Sequence, residues 1–187
     1  MTCNKPQYVE RRLKNESTYK HIQDAGFVFF YLFSDPDAGA EIRVSYDEPS
    51  GRYSMYVPLE ETYENIIHKV LTAYIFLNQF PIKGILKLDD DVIINEPDIL
   101  NDVYFKADYM GADYLSTDII DSYNNKISIN YFAGPFYWLS NSSLEHISCS
   151  IPEVSAEDIH VGIVLYKWKE CIIANPRLYN SKVVWWP

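Results

Sequence analysis

Three consecutive acids, Asp89, Asp90 and Asp91, directly follow an apolar run in the segment "GILKLDDDV". The apolar residues predict a buried strand, so the acids lie at its carboxyl end. If the backbone stays extended, Asp89 and Asp91 point to one side and repel each other unless a cation lies between them. Mg²⁺ and Mn²⁺ prefer oxygen ligands, and Mg²⁺ often combines one or two carboxylates with substrate phosphates. The triplet therefore predicts a metal–phosphate site, although a solvated acidic turn gives the same pattern.

Two later segments add groups that suit a binding or catalytic site. The first, "YFAGPFYWLS" at residues 131–140, places Gly134 among aromatic residues. Glycine lets a backbone approach a ligand closely, and aromatic rings suit the apolar faces of sugars; a core strand with a bulge is the alternative. The second, "SAEDIHVG" at residues 155–162, places Glu157 and Asp158 in the first turn of a predicted helix. Asp158 suits a general base, although acids at a helix start also serve ordinary capping.

The elements that must position these groups alternate along the chain. Strands are predicted at residues 26–34, 53–58, 84–88, 112–117, 127–134 and 171–175. Helices are predicted at residues 59–80, 96–105, 141–148 and 156–169. The alternation predicts an α/β domain whose mixed sheet is mostly parallel and is flanked by helices. In such sheets ligands bind beyond the carboxyl ends of the strands, which is where the three acids fall.

Composition limits the classes of partner. The chain has 187 residues, 48% of them hydrophobic, which is enough for one domain with a proper core. Its formal net charge is −10 and no basic stripe is visible, so no nucleic-acid partner is expected. The three cysteines form neither a disulfide framework nor a zinc-binding pattern. Without a signal-peptide pattern or a membrane-length apolar run, we expect a soluble, cytoplasmic protein with no membrane segment.

The order "LKLDDDV", "YFAGPFYWLS", "EDIHVG" resembles the β-1,3-glycosyltransferases of the family-31 galactosyltransferase type, which includes fringe-like enzymes. A fourth segment, "YVPLEETYENIIHKVL" at residues 56–71, resembles another stretch of that family, with Tyr63, Asn65 and Lys69 in register. The four segments together cover about residues 53–165. The resemblance implies a GT-A fold, a single Rossmann-like domain over residues 1–187 that binds a nucleotide sugar.

The resemblance also implies an activity and its chemistry. It implies an inverting glycosyltransferase that moves a hexose from a UDP-sugar to a hydroxyl group of a glycan or glycoprotein acceptor, with Mn²⁺ or Mg²⁺. Galactose is the first candidate sugar, on family frequency only. Asp91 would be the main metal ligand with Asp89 beside it, Asp158 would be the catalytic base, and Glu157 would orient the base or the acceptor.

The remaining implied residues concern the substrates. Asp89 and Asp90 would lie near the ribose of the donor. Lys69 and the segment Gly134, Pro135 and Tyr137 would line the donor and acceptor pocket. "ERRLKNESTY" at residues 10–19 is a loose match to a nucleotide-binding segment of the family, so Arg11 or Arg12 is a candidate nucleotide ligand, with Arg12 preferred and a plain surface helix as the alternative.

The chain departs from the family pattern in three ways. The family usually supplies a further metal-binding histidine well after its "ED" motif, and His160 is too close to Asp158 to match. The opening strand of the family is not apparent, and the chain is short, as expected of a minimal enzyme, a fragment or one domain of a longer transferase. Cellular members are mostly Golgi proteins, so a Golgi-luminal domain lacking its anchor is an alternative location, and a viral source fits a soluble member.

Two other functions remain open at this stage. A metal-dependent phosphoryl-transfer or hydrolytic enzyme would use Asp89–Asp91 without a sugar acceptor, although no phosphate-cradling Gly-Lys loop is visible. A non-catalytic carbohydrate- or nucleotide-sugar-binding module would explain the missing histidine and the missing strand. The presence of Asp91 and Asp158 favours the transferase.

Overall fold

The computed structural model describes residues 6–95, 98–102, 107–120, 124–168, 171–173 and 183–185. The helices are α1 (Pro6–Lys14), α2 (Glu16–Asp24), a 3₁₀ turn (Pro36–Ala38), α3 (Ile66–Leu77), α4 (Ile99–Asp102), α5 (Asn141–Ser148) and α6 (Glu157–Lys167). The strands are β1 (Phe30–Ser34), β2 (Arg43–Asp47), β3 (Arg52–Val57), β4 (Gly84–Leu88), β5 (Val92–Ile94), β6 (Tyr109–Gly111), β7 (Tyr114–Ile120), β8 (Lys126–Phe132), β9 (Phe136–Ser140) and β10 (Val183–Trp185).

The strands form four small sheets. One is mixed, in the order β1-β3-β2, with β1 parallel and β2 antiparallel to β3. A second, in the order β4-β9-β6, is antiparallel throughout. The pairs β7–β8 and β5–β10 are both antiparallel ribbons. The molecule is therefore an α+β structure built from short sheets.

The prediction of a Rossmann-like, mostly parallel GT-A sheet is wrong. Among the named strands of the described residues, only β1 and β3 pair in parallel. A parallel neighbour needs a long crossover connection, usually a helix. Between β6 and β9 the chain instead runs through four successive strands with short connections, which allow antiparallel neighbours. The error came from treating this strand-rich stretch as part of the strand–helix alternation seen earlier in the chain.

Individual elements agree better with their sequence patterns. The strand at 84–88 and the helix at 141–148 are confirmed at both ends. The helix expected from residue 59 begins only at Ile66. Residues 59–65 form an irregular connection, in which Glu61 accepts hydrogen bonds from the Ser34 N–H and the Lys69 ammonium. The helix expected at 96–105 is observed at Ile99–Asp102, and part of its range lies outside the described residues. The strand expected at 171–175 is present as one parallel bridge from Ile173, and residues 174–175 are not described.

The core lies where β9 packs between β4 and β6 and beneath α3, α5 and α6. Four consecutive residues of β9, Phe136 to Leu139, are buried. Because Leu88 pairs with Phe136, the Gly134-Pro135 turn before β9 lies beside the acidic turn after β4. The Asp89 N–H donates to the Pro135 carbonyl at 2.9 Å, which fixes these two turns to each other.

Candidate functional site

The three acids form a turn between β4 and β5 and do not extend the strand. The Val92 N–H returns to the Asp89 carbonyl at 3.3 Å and closes the turn. Asp90 is buried, with 6% of its surface exposed, whereas Asp89 and Asp91 are partly exposed at 26% and 28%. The turn therefore leaves the outer two side chains partly exposed, with one oxygen of each buried, and holds the middle one inside.

Lys87 is the centre of the site, although it lies on a strand and carries a charge. Its ammonium contacts Asp89 Oδ1 at 2.8 Å and Glu157 Oε1 at 2.9 Å, and it also donates to the Gly134 carbonyl. An ammonium has three donors, and three acceptor oxygens from separate segments surround that of Lys87. Burial opposes the charge of Lys87, but Asp89 and Glu157 outweigh it and raise the pKa of this lysine. One side chain thus joins β4, the turn before β9 and the start of α6.

A chain of buried hydrogen bonds continues from Glu157 into the core. The Tyr137 hydroxyl donates to Glu157 Oε2 at 2.7 Å, and the Tyr74 and Tyr137 hydroxyls lie 2.7 Å apart. Because Tyr137 gives its proton to the carboxylate, Tyr74 is the donor in that second bond. Burial raises the pKa of both phenols, so they remain protonated. Burial also raises the pKa of Glu157, against the opposing ammonium of Lys87.

Asp158 lies next to Glu157 but has different surroundings. Its Oδ2 accepts the Gly134 N–H at 2.9 Å, and its Oδ1 accepts the Ile159 N–H at 2.8 Å. The side chain is half-buried, whereas Glu157 is buried. A Cβ at Gly134 would lie 3.1 Å from Glu157 Oε1 and 3.4 Å from Asp158 Oδ2. The glycine therefore lets the backbone come close to both carboxylates; its close approach to a ligand stays a prediction.

Arg11 of α1 and Asn15, the residue between α1 and α2, contact the acidic turn. Arg11 Nη1 lies 3.5 Å from Asp91 Oδ2 and 4.0 Å from Asp90 Oδ1. The Asn15 amide donates to the Asp90 carbonyl at 2.6 Å. Arg12, the preferred candidate nucleotide ligand, instead lies over the rings of Tyr31 and Phe33, at 5.8 and 5.3 Å from their centroids. Arg11 is therefore the arginine placed beside the acids.

Lys69, a candidate substrate-binding residue, has Glu61 as a partner. Lys69 is buried on α3 and its ammonium donates to Glu61 Oε1 at 2.6 Å, while Glu61 Oε2 accepts the Ser34 N–H at 3.1 Å. These contacts tie α3 to the end of β1.

His160 is fully buried in α6 and contacts Ser150 Oγ at 2.9 Å through Nε2. It is a core histidine.

The residues present suit a metal only if a substrate completes the site. No group of three or more His, Cys, Asp or Glu side chains in the described part of the chain is arranged to hold a metal ion. Asp91 Oδ1 is buried and has no hydrogen-bond partner among the described residues. Mg²⁺ is commonly held by one or two carboxylates together with substrate phosphates and water. Asp91, with Asp89 beside it, fits that kind of site and does not fit an all-protein cage.

Sequence reasoning missed the role of two residues. Lys87 carried a usable signal, because a lysine inside a strand predicted to be buried needs a partner. Tyr74 carried none, because a tyrosine on the buried face of a helix is ordinary core. Its contact with Tyr137 depends on how α3 packs on β9.

Comparison with known proteins adds no relative: no family model matches this chain, and no curated protein matches it. The resemblance to the β-1,3-glycosyltransferases therefore rests on the four sequence segments. No helix of the described residues is both long and apolar enough to cross a membrane.

Proposed function

We propose that this protein is an inverting, metal-dependent glycosyltransferase that moves a hexose from a UDP-sugar to a hydroxyl group of a glycan acceptor. One observation carries the proposal. Lys87 joins Asp89, the Gly134 carbonyl and Glu157, while the Gly134 N–H binds Asp158. Three of the sequence segments that resemble the transferases therefore meet at one place, although they are separated by tens of residues in the chain.

The two neighbouring acids of α6 suit different roles. An inverting transfer needs one carboxylate that takes the proton of the attacking hydroxyl group. Both oxygens of Glu157 are already engaged, by Lys87 and by Tyr137. Both oxygens of Asp158 also accept hydrogen bonds, but only from backbone N–H groups, and its side chain is half-buried where that of Glu157 is buried, so Asp158 is the carboxylate that an acceptor reaches more easily. We assign the base to Asp158, and we assign to Glu157 the positioning of Lys87 and of the Gly134 turn.

The charge of the site supports a requirement for a cation. The set contains more carboxylates than cationic side chains: Asp89, Asp90, Asp91, Glu157 and Asp158 against Lys87 and Arg11. A nucleoside diphosphate would be repelled by that excess unless a divalent cation accompanied it. Asp91 and Asp89 would hold such a cation, which would neutralise the charge that develops on the leaving diphosphate.

The experiment that tests the activity is a transfer assay with Mn²⁺, a panel of UDP-sugars beginning with UDP-galactose, and a glycan acceptor array. We expect UDP release that depends on the acceptor and a product with inverted configuration at the transferred sugar. Asp158→Asn should reduce the rate roughly 10²–10⁴-fold while donor binding survives. Asp118→Asn, on the exposed face of the β7–β8 ribbon, is the matched control and should leave the rate unchanged.

The assay also separates the rival functions. Acceptor-independent phosphate release would indicate phosphoryl transfer or hydrolysis. Donor binding without turnover on any acceptor, with Asp158→Asn equal to the wild type, would indicate a sugar-nucleotide-binding module.

A further inference from the structure

The two edges of the β7–β8 ribbon have different surroundings. On the β8 side, the Phe132 N–H donates to the Tyr109 hydroxyl at 2.8 Å. The Asn130 carbonyl on the same side lies 3.1 Å from the position that a Cβ at Gly162 would take, so α6 runs close against this edge. Among the described residues, β7 has a strand partner only in β8. The described part of the protein therefore covers the outer edge of β8 and pairs no strand with the outer edge of β7.

The hydrogen bonds of the ribbon show which backbone groups of β7 point outward. The Ala133 N–H donates to the Asp113 carbonyl at 2.8 Å, one position before Tyr114 pairs with Phe132. In an antiparallel pair the backbone groups of successive residues alternate in direction. The odd-numbered residues of β7 therefore bond to β8, and the N–H and C=O groups of the even-numbered residues point away from it. An edge of this kind is a template for another extended chain.

The side chains of β7 favour pairing of this edge. Its sequence, "YLSTDII", contains no Lys or Pro, the residues that commonly block pairing at a sheet edge. Leu115 is 44% exposed and Ile120 is 63% exposed, and Tyr114 is exposed as well. Exposed apolar side chains therefore lie at both ends of the strand, where a second strand with a matching pattern would cover them.

The pattern of β7 is complementary to itself. Two antiparallel copies of the strand, related by a two-fold axis at Thr117, place apolar residues opposite apolar residues. The facing pairs are Tyr114 with Ile120 and Leu115 with Ile119. Even-numbered residues face even-numbered residues in this register, so their outward-pointing backbone groups can form the hydrogen bonds of a ladder.

Other registers match the strand less well. An axis between two residues would place outward-pointing backbone groups opposite inward-pointing ones and would form no ladder. An axis at Asp118 would place two carboxylates opposite each other, which is destabilising. An axis at Ser116 would place Tyr114 opposite Asp118. The backbone directions, the apolar pattern and the charge therefore all favour the register centred on Thr117.

We propose that this protein forms a homodimer through β7, in which two copies build a continuous antiparallel sheet in the order β8-β7-β7-β8. Each Asp118 keeps its ion pair with Lys126 of its own ribbon, at 2.7 Å, so neither charge loses its partner. A two-fold contact uses each β7 edge once, so the association stops at the dimer. The proposal is independent of the transferase activity, because it concerns only the outer edge of the ribbon.

The first test measures the mass of the whole chain by light scattering, at concentrations of roughly 1–500 µM, because a single strand pair is a small interface. We expect a concentration-dependent dimer and no larger species. Thr117→Lys and Thr117→Asp each place two like charges at the two-fold axis, so each should weaken dimer formation at least tenfold. A wild-type chain that stays monomeric at every concentration, or variants that dimerise as the wild type does, would overturn the proposal.

Mixing the two variants distinguishes a broken interface from a broken fold. Thr117→Lys and Thr117→Asp carry opposite charges at the axis, so an equimolar mixture should recover a mixed dimer. A variant that fails to fold would not recover it, and urea unfolding of each variant alone shows whether it is folded. Two folded variants that form no mixed dimer would contradict the register centred on Thr117.

A cross-linking experiment tests the register directly. Facing residues at a non-hydrogen-bonded position of an antiparallel pair have Cα atoms about 4.5 Å apart, within the span of a disulfide. Thr117→Cys should therefore form a covalent dimer under mild oxidation. Ser128→Cys, at an exposed position of β8, is the matched control and should stay uncross-linked, as should the wild type with its exposed Cys149. Equal cross-linking of the two variants would contradict the proposal.

Discussion

Two of the buried cations, Lys87 and Arg52, have contrasting surroundings. Arg52 Nη1 donates to Glu16 Oε2 at 2.8 Å and to the Tyr31 hydroxyl at 3.1 Å, and its Nε donates to Gln23 at 2.9 Å. The guanidinium also lies over the rings of Tyr19 and Phe29, at 5.4 Å from each centroid. All these partners belong to α2 or to the segment that forms β1, so Arg52 fastens one helix to the mixed sheet.

Lys87 has a different set of partners. Its partners come from the turn after β4, the turn before β9 and the start of α6, and two of them are carboxylates. Among the described residues Arg52 has a single carboxylate partner, Glu16, which is 60% exposed. The Arg52 side chain pairs one positive charge with one carboxylate, and its partners in the described part of the chain lie in α2 and the β1 segment, as expected of a residue with a purely structural role. Lys87 instead contacts two carboxylates and joins three segments that are distant in the chain, as expected of a residue in a functional site.

The largest expected effect of a single substitution is at Lys87. Lys87→Met leaves the buried Glu157 without its cation, and breaking a buried pair in this way costs about 3–5 kcal/mol of the free energy of unfolding. Urea unfolding measures the loss. Adding Glu157→Gln to Lys87→Met should restore part of it, because the uncompensated charge is then gone. A loss below about 1 kcal/mol would mean that Lys87 is not the electrostatic centre described here.

Arg52→Met should cost less and should leave the site alone. Glu16 can return to water when its partner is removed, so we expect a loss of about 1.5–3 kcal/mol, on the scale of hydrogen bonds to charged groups. Urea unfolding measures this loss, and a titration with UDP and Mn²⁺ should give the wild-type affinity. Weaker UDP binding in Arg52→Met would contradict the division between a structural and a functional cation.

Substitutions at two glycines, one near Lys87 and one near Arg52, test the same comparison between the two cation sites. Gly134→Ala places a methyl group 3.1 Å from Glu157 Oε1, and the small displacement that follows should lower the transfer rate about tenfold. Gly51, beside Gln23 in the Arg52 region, has a φ of +67°, so Gly51→Ala strains the backbone and should cost about 1 kcal/mol of stability. Rate assays and thermal unfolding should show opposite rankings for the two variants, and equal effects on the rate would argue against the Lys87 site.

The smallest expected effect concerns pH and lies outside both cation sites. The Glu153 N–H donates to His160 Nδ1 at 3.4 Å, so His160 is neutral and its Nε2–H donates to Ser150. Burial lowers the pKa of His160, with Glu153 opposing and Lys167 reinforcing the effect. The unfolded chain therefore binds a proton first, and stability should fall as the pH drops below about 6.5, by at most about 1.4 kcal/mol per pH unit.

Thermal unfolding between pH 7 and pH 5 measures this dependence. His160→Gln should flatten it, and His68→Gln, at an exposed position on α3, should not. An unchanged slope in His160→Gln would show that other groups set the acid sensitivity.

The sequence predicted single elements and the membership of the site better than the assembly of the sheets. The strand at Gly84–Leu88 and the acids after it follow from local apolar patterning, and so does the helix that carries Glu157 and Asp158. These are short-range features, and the structure has them where they were expected. The pairing of β9 with both β4 and β6 is a long-range choice, because nothing in the period-two pattern of a strand tells which neighbour it takes.

The same limit explains which site residues could be predicted. Asp89, Gly134 and Asp158 lie in segments with visible chemistry, and the structure brings them together through Lys87. Arg12 was selected over Arg11 on sequence alone, but consecutive residues of a helix point in different directions, and the packing of α1 decides which one meets the acids. That packing depends on the whole fold.

The most direct test of the central claim is a calorimetric titration of UDP into the wild-type chain and into Asp91→Asn, with Mn²⁺ and then with EDTA. The claim is that the acidic turn held by Lys87 binds a nucleoside diphosphate through a divalent cation. We predict binding to the wild type with Mn²⁺, its loss in EDTA, and at least a tenfold weaker affinity in Asp91→Asn with unchanged stability. Binding that is equal in both proteins, or absent in the wild type under both conditions, would contradict the claim.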